Sequence, residues 1–322
     1  MNILFCSVGR RAELLKDFRC SMEKNSVIIA TDMSSYAPAI YFSDYYYIVP
    51  SIFDESYISI ILEICRKHNV DVITTLIDPE IKLLAKNRDK FEKIGVEVLA
   101  PSESTADICF DKFKLFEHLR TKGIPTIPTY GCIEEVRAAL DAGEITFPVF
   151  VKPREGSGSV GARRINNIGD LEAAFSSDPS LIAQKLMNGS DIDADIYVDT
   201  KSGLPVSAFS KRKLETKIGG ASKTVSFKDD VLFDLLCKTV NTLEFNGPLD
   251  MDLFFVNGQY YVSEINPRFG GAYLHAYGAG IDFVKLIENN INGIENKAQF
   301  GDYEDNIVMM MYDSVVIKKI EK

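Results

Sequence analysis

No run of apolar residues in this chain of 322 approaches the ~20 needed to cross a bilayer. The apolar start at residues 3–6 is too short for a secretory leader and meets Arg10 and Arg11 at once, so no export signal is expected. Cysteine is sparse. Cys6, Cys20, Cys65, Cys109, Cys132 and Cys237 are scattered, and no pair has metal-site spacing, so the expectation is free thiols in a cytoplasmic protein. Positive charge is in deficit. A net charge of −10 argues against nucleic acid as a partner, because phosphate backbones are bound by an excess of Lys and Arg. Internal repeats and low-complexity tracts are absent, as is any Ser-His-Asp or Cys-His set. His68 and His118 read as helix-surface residues.

What is present is an ordinary globular composition, 46% apolar and 25% charged, in a length that suits two domains. Residues 1–108 alternate apolar strands (2–7, 27–31, 45–49, 70–75, 96–99) with helices (to residue 18, then 56–67 and 79–92). That alternation predicts an α/β parallel sheet with helices on both faces. Asp111 then caps a helix to about residue 122. Strands are expected at 147–152, 162–165 and 181–186, with a helix at 170–175. Antiparallel strands follow over 191–215 around a turn at 200–203. A helix at 231–243, a hairpin at 249–266 about Asn257-Gly258 and a helix at 281–292 complete the pattern.

Gly156-Ser157-Gly158-Ser159-Val160-Gly161 matches a dinucleotide-loop pattern, but the residues after it read as strand and turn rather than helix. The lysine of a Walker loop is also missing, since Ala162 follows Gly161. What remains is a strand–glycine loop–strand flap whose backbone N–H groups can cover phosphates. Lys152 ends the strand before the flap and favours a phosphate contact. Lys112 and Lys114 lie in the first turn of a helix, where the macrodipole disfavours cations and a bound anion offsets the cost. Glu264-Ile265-Asn266-Pro267-Arg268 sets a carboxylate, an amide and a guanidinium at alternate positions, a combination suited to a hard cation and a phosphate. Asp250 and Asp252 lie on the other arm of the same hairpin. A two-residue turn would pair Asp252 with Ser263 and turn Glu264 to the opposite face. A three-residue loop over 256–258 pairs Asp250 with Glu264, and that register is the one expected, with a cation between the carboxylates.

The order of these segments, from Cys109-Phe-Asp-Lys112 through the 147–153 strand, the flap and the 181–186 strand to Asp252 and Glu264-Ile-Asn-Pro-Arg268, resembles the ATP-grasp superfamily. Within it, the chain is similar to single-unit relatives of the large chain of carbamoyl-phosphate synthase. The resemblance implies a Rossmann-like pre-ATP-grasp domain over 1–108 and a mixed α/β ATP-grasp domain over 109–292, split into a small lid (109–187) and a metal and substrate part (188–292). Residues 293–322 would be an extension packing on the body. The resemblance also implies site roles. Lys112 and Lys152 hold ATP phosphates. Gly156, Ser157, Gly158, Ser159 and Gly161 form the flap. Gln184, Lys185 and Leu186 form an adenine hinge read through backbone groups, and Asp191 meets the ribose. Asp252, Glu264 and Asn266 hold two Mg²⁺ or Mn²⁺ ions, and Arg268 stabilises the transferring phosphoryl group. Lys185 stands where an acid is common and Asp252 where the synthase has an amide. With one ATP-grasp unit, carbamoyl phosphate synthesis is not expected.

The implied reaction is attack of a carboxylate on the γ-phosphate of ATP, then displacement of phosphate by an amine, amino acid or thiol. Such chemistry needs charge neutralisation, positioning and exclusion of water more than acid–base groups. The basic stretch 210–221 is expected to be a second mobile loop in which Arg212 or Lys211 meets phosphate or substrate. Gly270 and Gly271 are expected to face the substrate, His275 to be a structural or substrate hydrogen-bond partner and not a metal ligand, and Arg10 or Arg11 to hold a substrate carboxylate, with Asp78 and Glu80 near the acceptor. A homodimer is one assembly open to such a chain. The competing readings are a kinase-like phosphoryl transferase, a non-catalytic nucleotide-binding regulator and a nicotinamide oxidoreductase.

Overall fold

The structure is a computed structural model that describes residues 1–156, 160–217 and 220–319. Ser157, Gly158 and Ser159 of the expected flap, and residues 218 and 219 of the basic stretch, lie outside the described residues. Among the described residues no helix is long and apolar enough to cross a membrane. All six cysteines are free.

Strands β1 (Asn2–Cys6), β2 (Val27–Asp32), β3 (Tyr45–Ile48), β4 (Val72–Thr75) and β5 (Glu97–Val98) form a parallel sheet in the order β3-β2-β1-β4-β5. Helices cover both faces, so β1, β2 and β4 are buried along nearly their whole length instead of alternating. The strand order reverses between β1 and β4. Their C-terminal ends therefore open a crevice, the usual ligand position in such sheets. The helix expected over 79–92 is two helices, Asp78–Lys86 and Arg88–Glu92, because the Asn87 side chain donates to Leu83 O at 2.9 Å and ends the first.

A small antiparallel sheet follows. It contains β6 (Thr129–Tyr130), β7 (Val149–Pro153), β8 (Arg163–Ile165) and β9 (Leu181–Lys185) in the order β6-β9-β7-β8. β7 and β8 flank the glycine loop with Val149 opposite Ile165, which is the strand–loop–strand arrangement read from the sequence. The helix Lys112–Thr121 starts where expected, with Asp111 Oδ1 accepting from Phe113 N and Lys114 N. Helices Glu103–Phe110 and Ile133–Asp141 were not expected.

The large antiparallel sheet holds β10 (Ser190–Val198), β11 (Pro205–Lys217), β12 (Gly220–Ser226), β13 (Gly247–Val256), β14 (Gln259–Asn266) and β15 (Val308–Met310), ordered β14-β13-β10-β11-β12-β15. Two expectations are corrected here. The basic stretch is no mobile loop among its described residues, because Ser210–Lys217 continues β11 and Gly220 and Ala221 begin β12. The hairpin of β13 and β14 keeps the two-residue turn, with Val256 opposite Gln259, instead of the three-residue loop. A β-bulge at Ser263 then inserts one residue. It places Glu264 opposite Asp252 and Asn266 opposite Asp250, where Asp250 had been expected opposite Glu264. The bulge restores the shared face that the tight turn alone would have lost.

One core joins the β1–β2 face of the first sheet to β10, β11 and β13, through Phe5, Phe18 and Phe269 among others. The small sheet has a separate core around Val136, Val149, Val151 and Leu171. The first sheet and the large sheet thus share one apolar interior, while the small sheet stands on its own.

Candidate functional site

Side chains two apart in a strand share a face. On one face of the large sheet, Glu264 of β14 lies opposite Asp252 of β13, which lies opposite Asp193 of β10, which lies opposite Lys211 of β11. In the next row Asn266 faces Asp250 and Asp250 faces Asp195. Asp191 and Lys213 extend the same face by one position. This face carries six carboxylates, and cations from elsewhere in the chain converge on it.

Lys112 projects from its helix so that Nζ donates to Gly156 O at 2.6 Å and lies 3.3 Å from Glu264 Oε1. Lys152, near the end of β7, places Nζ 3.7 Å from Glu264 Oε2. Both lysines are buried. Burial lowers the Lys152 pKa, and Lys112 adds to that, while Glu264 works against it. Burial would raise the Glu264 pKa, but Lys152 and Lys112 outweigh it and hold the carboxyl below its ordinary value. Glu264 therefore stays ionised between two ammonium groups, which is where the phosphates of a nucleotide would also be neutralised.

Arg268 forms a fork on Asp78, from Nε to Oδ1 at 2.6 Å and from Nη2 to Oδ2 at 3.3 Å, and Nη1 lies 4.0 Å from Asp250 Oδ2. Asp78 follows β4 in the first sheet, so this pair ties the crevice to the end of β14. Asp78→Asn leaves a neutral partner and loosens the guanidinium. We expect kcat to fall ~10–10²-fold with little change in KM for the nucleotide, because a small misplacement at the reacting centre is that costly. Steady-state kinetics of the purified variant checks this.

A cleft of about 520 Å³ lies between the small and large sheets and is lined by Lys112, Lys152, Asp252, Glu264, Asn266 and Arg268. Arg10, Arg11, Asp78 and Gly271 line it from the side of the first sheet. Gly156 lines it where the flap begins. Gly161, at φ +75°, takes a left-handed turn just before β8. The donors fit a divalent cation at Glu264 and Asn266: Glu264 is 26% exposed to the cleft and its nearest ammonium contacts are long. Asp252 differs, since its Oδ1 accepts a hydrogen bond from Lys213, which also lies 3.1 Å from Asp191 Oδ1.

Several expected site residues fall elsewhere. Arg212 points to the opposite face of β11, where its guanidinium stacks over Phe227 at 5.3 Å. A bulge between Tyr197 and Val198 decides this. Without it Asp191 would pair with Arg212, and with it Asp193 pairs with Lys211. Arg11 lines the cleft but spends its donors on Gly270 O at 2.6 Å and Phe269 O at 3.4 Å. Burial and then Arg268 lower its pKa to about 10. Arg10 remains exposed at the rim. Gly270 packs on the acidic row, where a Cβ would lie 2.6 Å from Asp250 Oδ1. Gln184 donates to Thr129 Oγ1 at 2.8 Å, Lys185 is exposed and Leu186 is half-buried, and none of the three side chains lines the cleft. The adenine contacts implied for them are backbone contacts, which these orientations leave open. Asp32 accepts from Gly9 N at 2.8 Å and Ser34 N at 2.9 Å, which commits it to the turn after β1.

His275 is buried beneath the sheet, not in the cleft. Its Nδ1 pairs with Thr224 Oγ1 at 2.7 Å, and the ring meets Phe209 edge-on. Burial, then the charge on Lys211, lowers its pKa from 6.5 to about 4. The unfolded chain therefore takes up a proton that the folded chain refuses, and stability falls as pH drops from about 6.5 to about 4. Melting temperatures across that range should fall less steeply in His275→Gln than in the natural protein.

The sequence reading missed Lys213 and the part played by Asp193 and Asp195. The alternation Asp191-x-Asp193-x-Asp195 against Lys211-x-Lys213 was the available signal, but only the bulge tells which face the lysines share with the acids. Lys211 is fully buried against Asp195 and lies 3.0 Å from Asp193 Oδ1. Burial, then Asp193, Asp252 and Asp195, pushes the Asp250 carboxyl well up.

Comparison with known proteins bears on the family and the fold. Residues 109–272 match the family model described as an ATP-grasp domain, and residues 3–99 match one described as a PylC-like N-terminal domain. The chain is 26% identical to a carbamoyl-phosphate synthase of Methanobrevibacter smithii over 95% of this chain and 84% of that protein. It is 27% identical to the carbamoyl phosphate synthase large chain of Campylobacter jejuni, over 56% of this chain but only 18% of that protein. Among solved structures, the biotin carboxylase domain of Hydrogenobacter thermophilus 2-oxoglutarate carboxylase, in complex with MgADP, ADP and bicarbonate, superposes with a TM-score of 0.76 at 17% identity, covering 95% of this chain and 73% of that one. N5-carboxyaminoimidazole synthetase from Staphylococcus aureus, complexed with ADP, gives 0.72 at 18% identity, covering 92% and 78%. These two likenesses speak to the fold. With a family model covering half of its length and the lysine–carboxylate–arginine wall in place, the chain belongs to the ATP-grasp family of ATP-dependent ligases.

Proposed function

We propose that this chain activates a small carboxylate with ATP and Mg²⁺, forming an acyl phosphate and ADP, and then passes the acyl group to an amine or amino acid with release of phosphate. The carrying observation is the convergence of Lys112, Lys152, Glu264, Asn266 and Arg268, from separate segments, on one cleft. In this reading Lys112 and Lys152 neutralise nucleotide phosphates, and Gly156 and Gly161 belong to the covering flap. Arg268, held by Asp78, meets the γ-phosphoryl group as charge develops on it. Glu264 and Asn266 hold Mg²⁺, which would polarise the phosphoryl oxygens. A two-ion site as the family resemblance implies would need Asp252 as well. Arg212 leaves the catalytic set, because it faces away from the cleft.

Residues 1–108 supply the crevice for the carboxylate or the nucleophile. Arg10, with its guanidinium free at the rim, and Gly271 are the candidates there. The separate core of the small sheet suits it to close over the nucleotide and exclude water from the acyl phosphate. A chain that stops at phosphoryl transfer is the second reading, and one experiment separates the two. ADP release is measured with pooled carboxylates, pooled amino acids and both together. Strict dependence on two components supports the ligase, dependence on one supports a kinase, and release with neither sinks both.

A further inference from the structure

We propose that the ammonium group of Lys213 stands permanently in the place of a second divalent cation, so that the nucleotide site takes one ion, held by Glu264 and Asn266. The inference rests on the ATP reading above. Two-metal sites hold ions roughly 3.5–4 Å apart. On this sheet face Glu264 is the residue positioned to bridge them, and Asp252, directly opposite it, is the residue that would complete the second position.

The two carboxylates are not in the same state. Glu264 stands 3.3 and 3.7 Å from its ammonium neighbours, and Lys112 gives its close hydrogen bond to Gly156 O instead. Asp252 is in direct hydrogen bond with Lys213. Lys213 is fixed from another side by Asp191, 3.1 Å away, and its side chain is only 13% exposed. It is also no stray surface lysine swung inward. β11 delivers it to the acidic face because the bulge between Tyr197 and Val198 sets that register.

An ammonium has three donors. Asp252 and Asp191 take two, and Lys213 lines the cleft, so the third is free for a phosphate oxygen. The group thus does what a second ion would do there, bridging Asp252 to the nucleotide, with one positive charge instead of two and no dependence on metal supply. An entering divalent ion would have to displace a lysine fixed by two carboxylates.

The test uses the full chain with a saturating non-hydrolysable ATP analogue and Mn²⁺ as the probe. The expected result is one Mn²⁺ per bound nucleotide, with the electron paramagnetic resonance spectrum of an isolated ion. In Lys213→Met a second Mn²⁺ should enter beside the first and give a spin-coupled spectrum. Asp252→Asn, made in the natural background, should bind the single Mn²⁺ within twofold of the natural protein. Two coupled ions in the natural protein overturn the proposal and leave the ATP reading standing. So does a tenfold loss of Mn²⁺ affinity in Asp252→Asn. Absence of nucleotide binding altogether overturns both.

Discussion

Glu264→Ala lowers the rate of ADP release by ~10²–10³-fold or more while the far-ultraviolet circular dichroism of the chain is unchanged. That is the expected result, and its size follows from what one preorganised electrostatic group contributes at a transition state. Glu264 is the carboxylate between Lys112 and Lys152, and it lines the cleft. Alanine removes the proposed metal ligand and also takes away the carboxylate between two buried lysines, so nucleotide phosphates are bound in altered geometry. Glu264→Gln separates the two effects. It keeps the shape and an oxygen but not the charge, and it should recover little of the rate. Near-normal turnover in either variant would remove Glu264 from the metal site.

Lys211→Met should be the most destabilising single substitution in the large sheet. Lys211 has no exposed surface and holds Asp195 by a hydrogen bond and Asp193 at 3.0 Å. Asp193, Asp195 and Asp250 offer oxygens that all lie within 4.8 Å of one another. Removing one partner of a buried ion pair typically costs ~3–5 kcal/mol, because the remaining charge is uncompensated. The measurement is denaturant unfolding at several pH values, and the sign is diagnostic. Burial already pushes Asp195 up to about 6 with Lys211 present. Lys211 holds the Asp193 and Asp195 carboxyls down against their burial, so without it both shift upward, the folded chain binds more protons, and the variant gains stability as pH falls. Its deficit should therefore shrink from pH 8 toward pH 5. A pH-independent deficit would mean that lost packing, not lost charge, is the cause.

Much of the architecture was legible in the residues. Strand–helix alternation gave the parallel sheet, and Asp111 marked the start of its helix. Proline and glycine placed the turns, and the ordered lysines and the Glu-Ile-Asn-Pro-Arg run carried the family. These signals are local: a cap, a period of two, a turn pair. The role expected for Arg212 failed for a different reason: it depended on which way a side chain points relative to a neighbouring strand, and that is a property of pairing.

The chemical content of the site, its six carboxylates, its lysines and its arginine, is written in the sequence, as are the strands that carry them. Which of those groups meet is decided by two inserted residues in the folded sheet. The bulge at Ser263 turns Glu264 to the side of Asp252. The bulge at Tyr197 and Val198 turns Lys211 and Lys213, and not Arg212, to the same side. A shift of one residue exchanges the two faces of a strand. No turn sequence announces these bulges: the register expected at Asn257-Gly258 was that of a three-residue loop, and the two-residue turn found there brings Asp252 and Glu264 to one face only through the bulged register. Only the packing of β10, β11, β13 and β14 against the shared core selects the bulged one, because it keeps Leu253, Val262 and Ile265 in the apolar interior while the charged row faces the cleft.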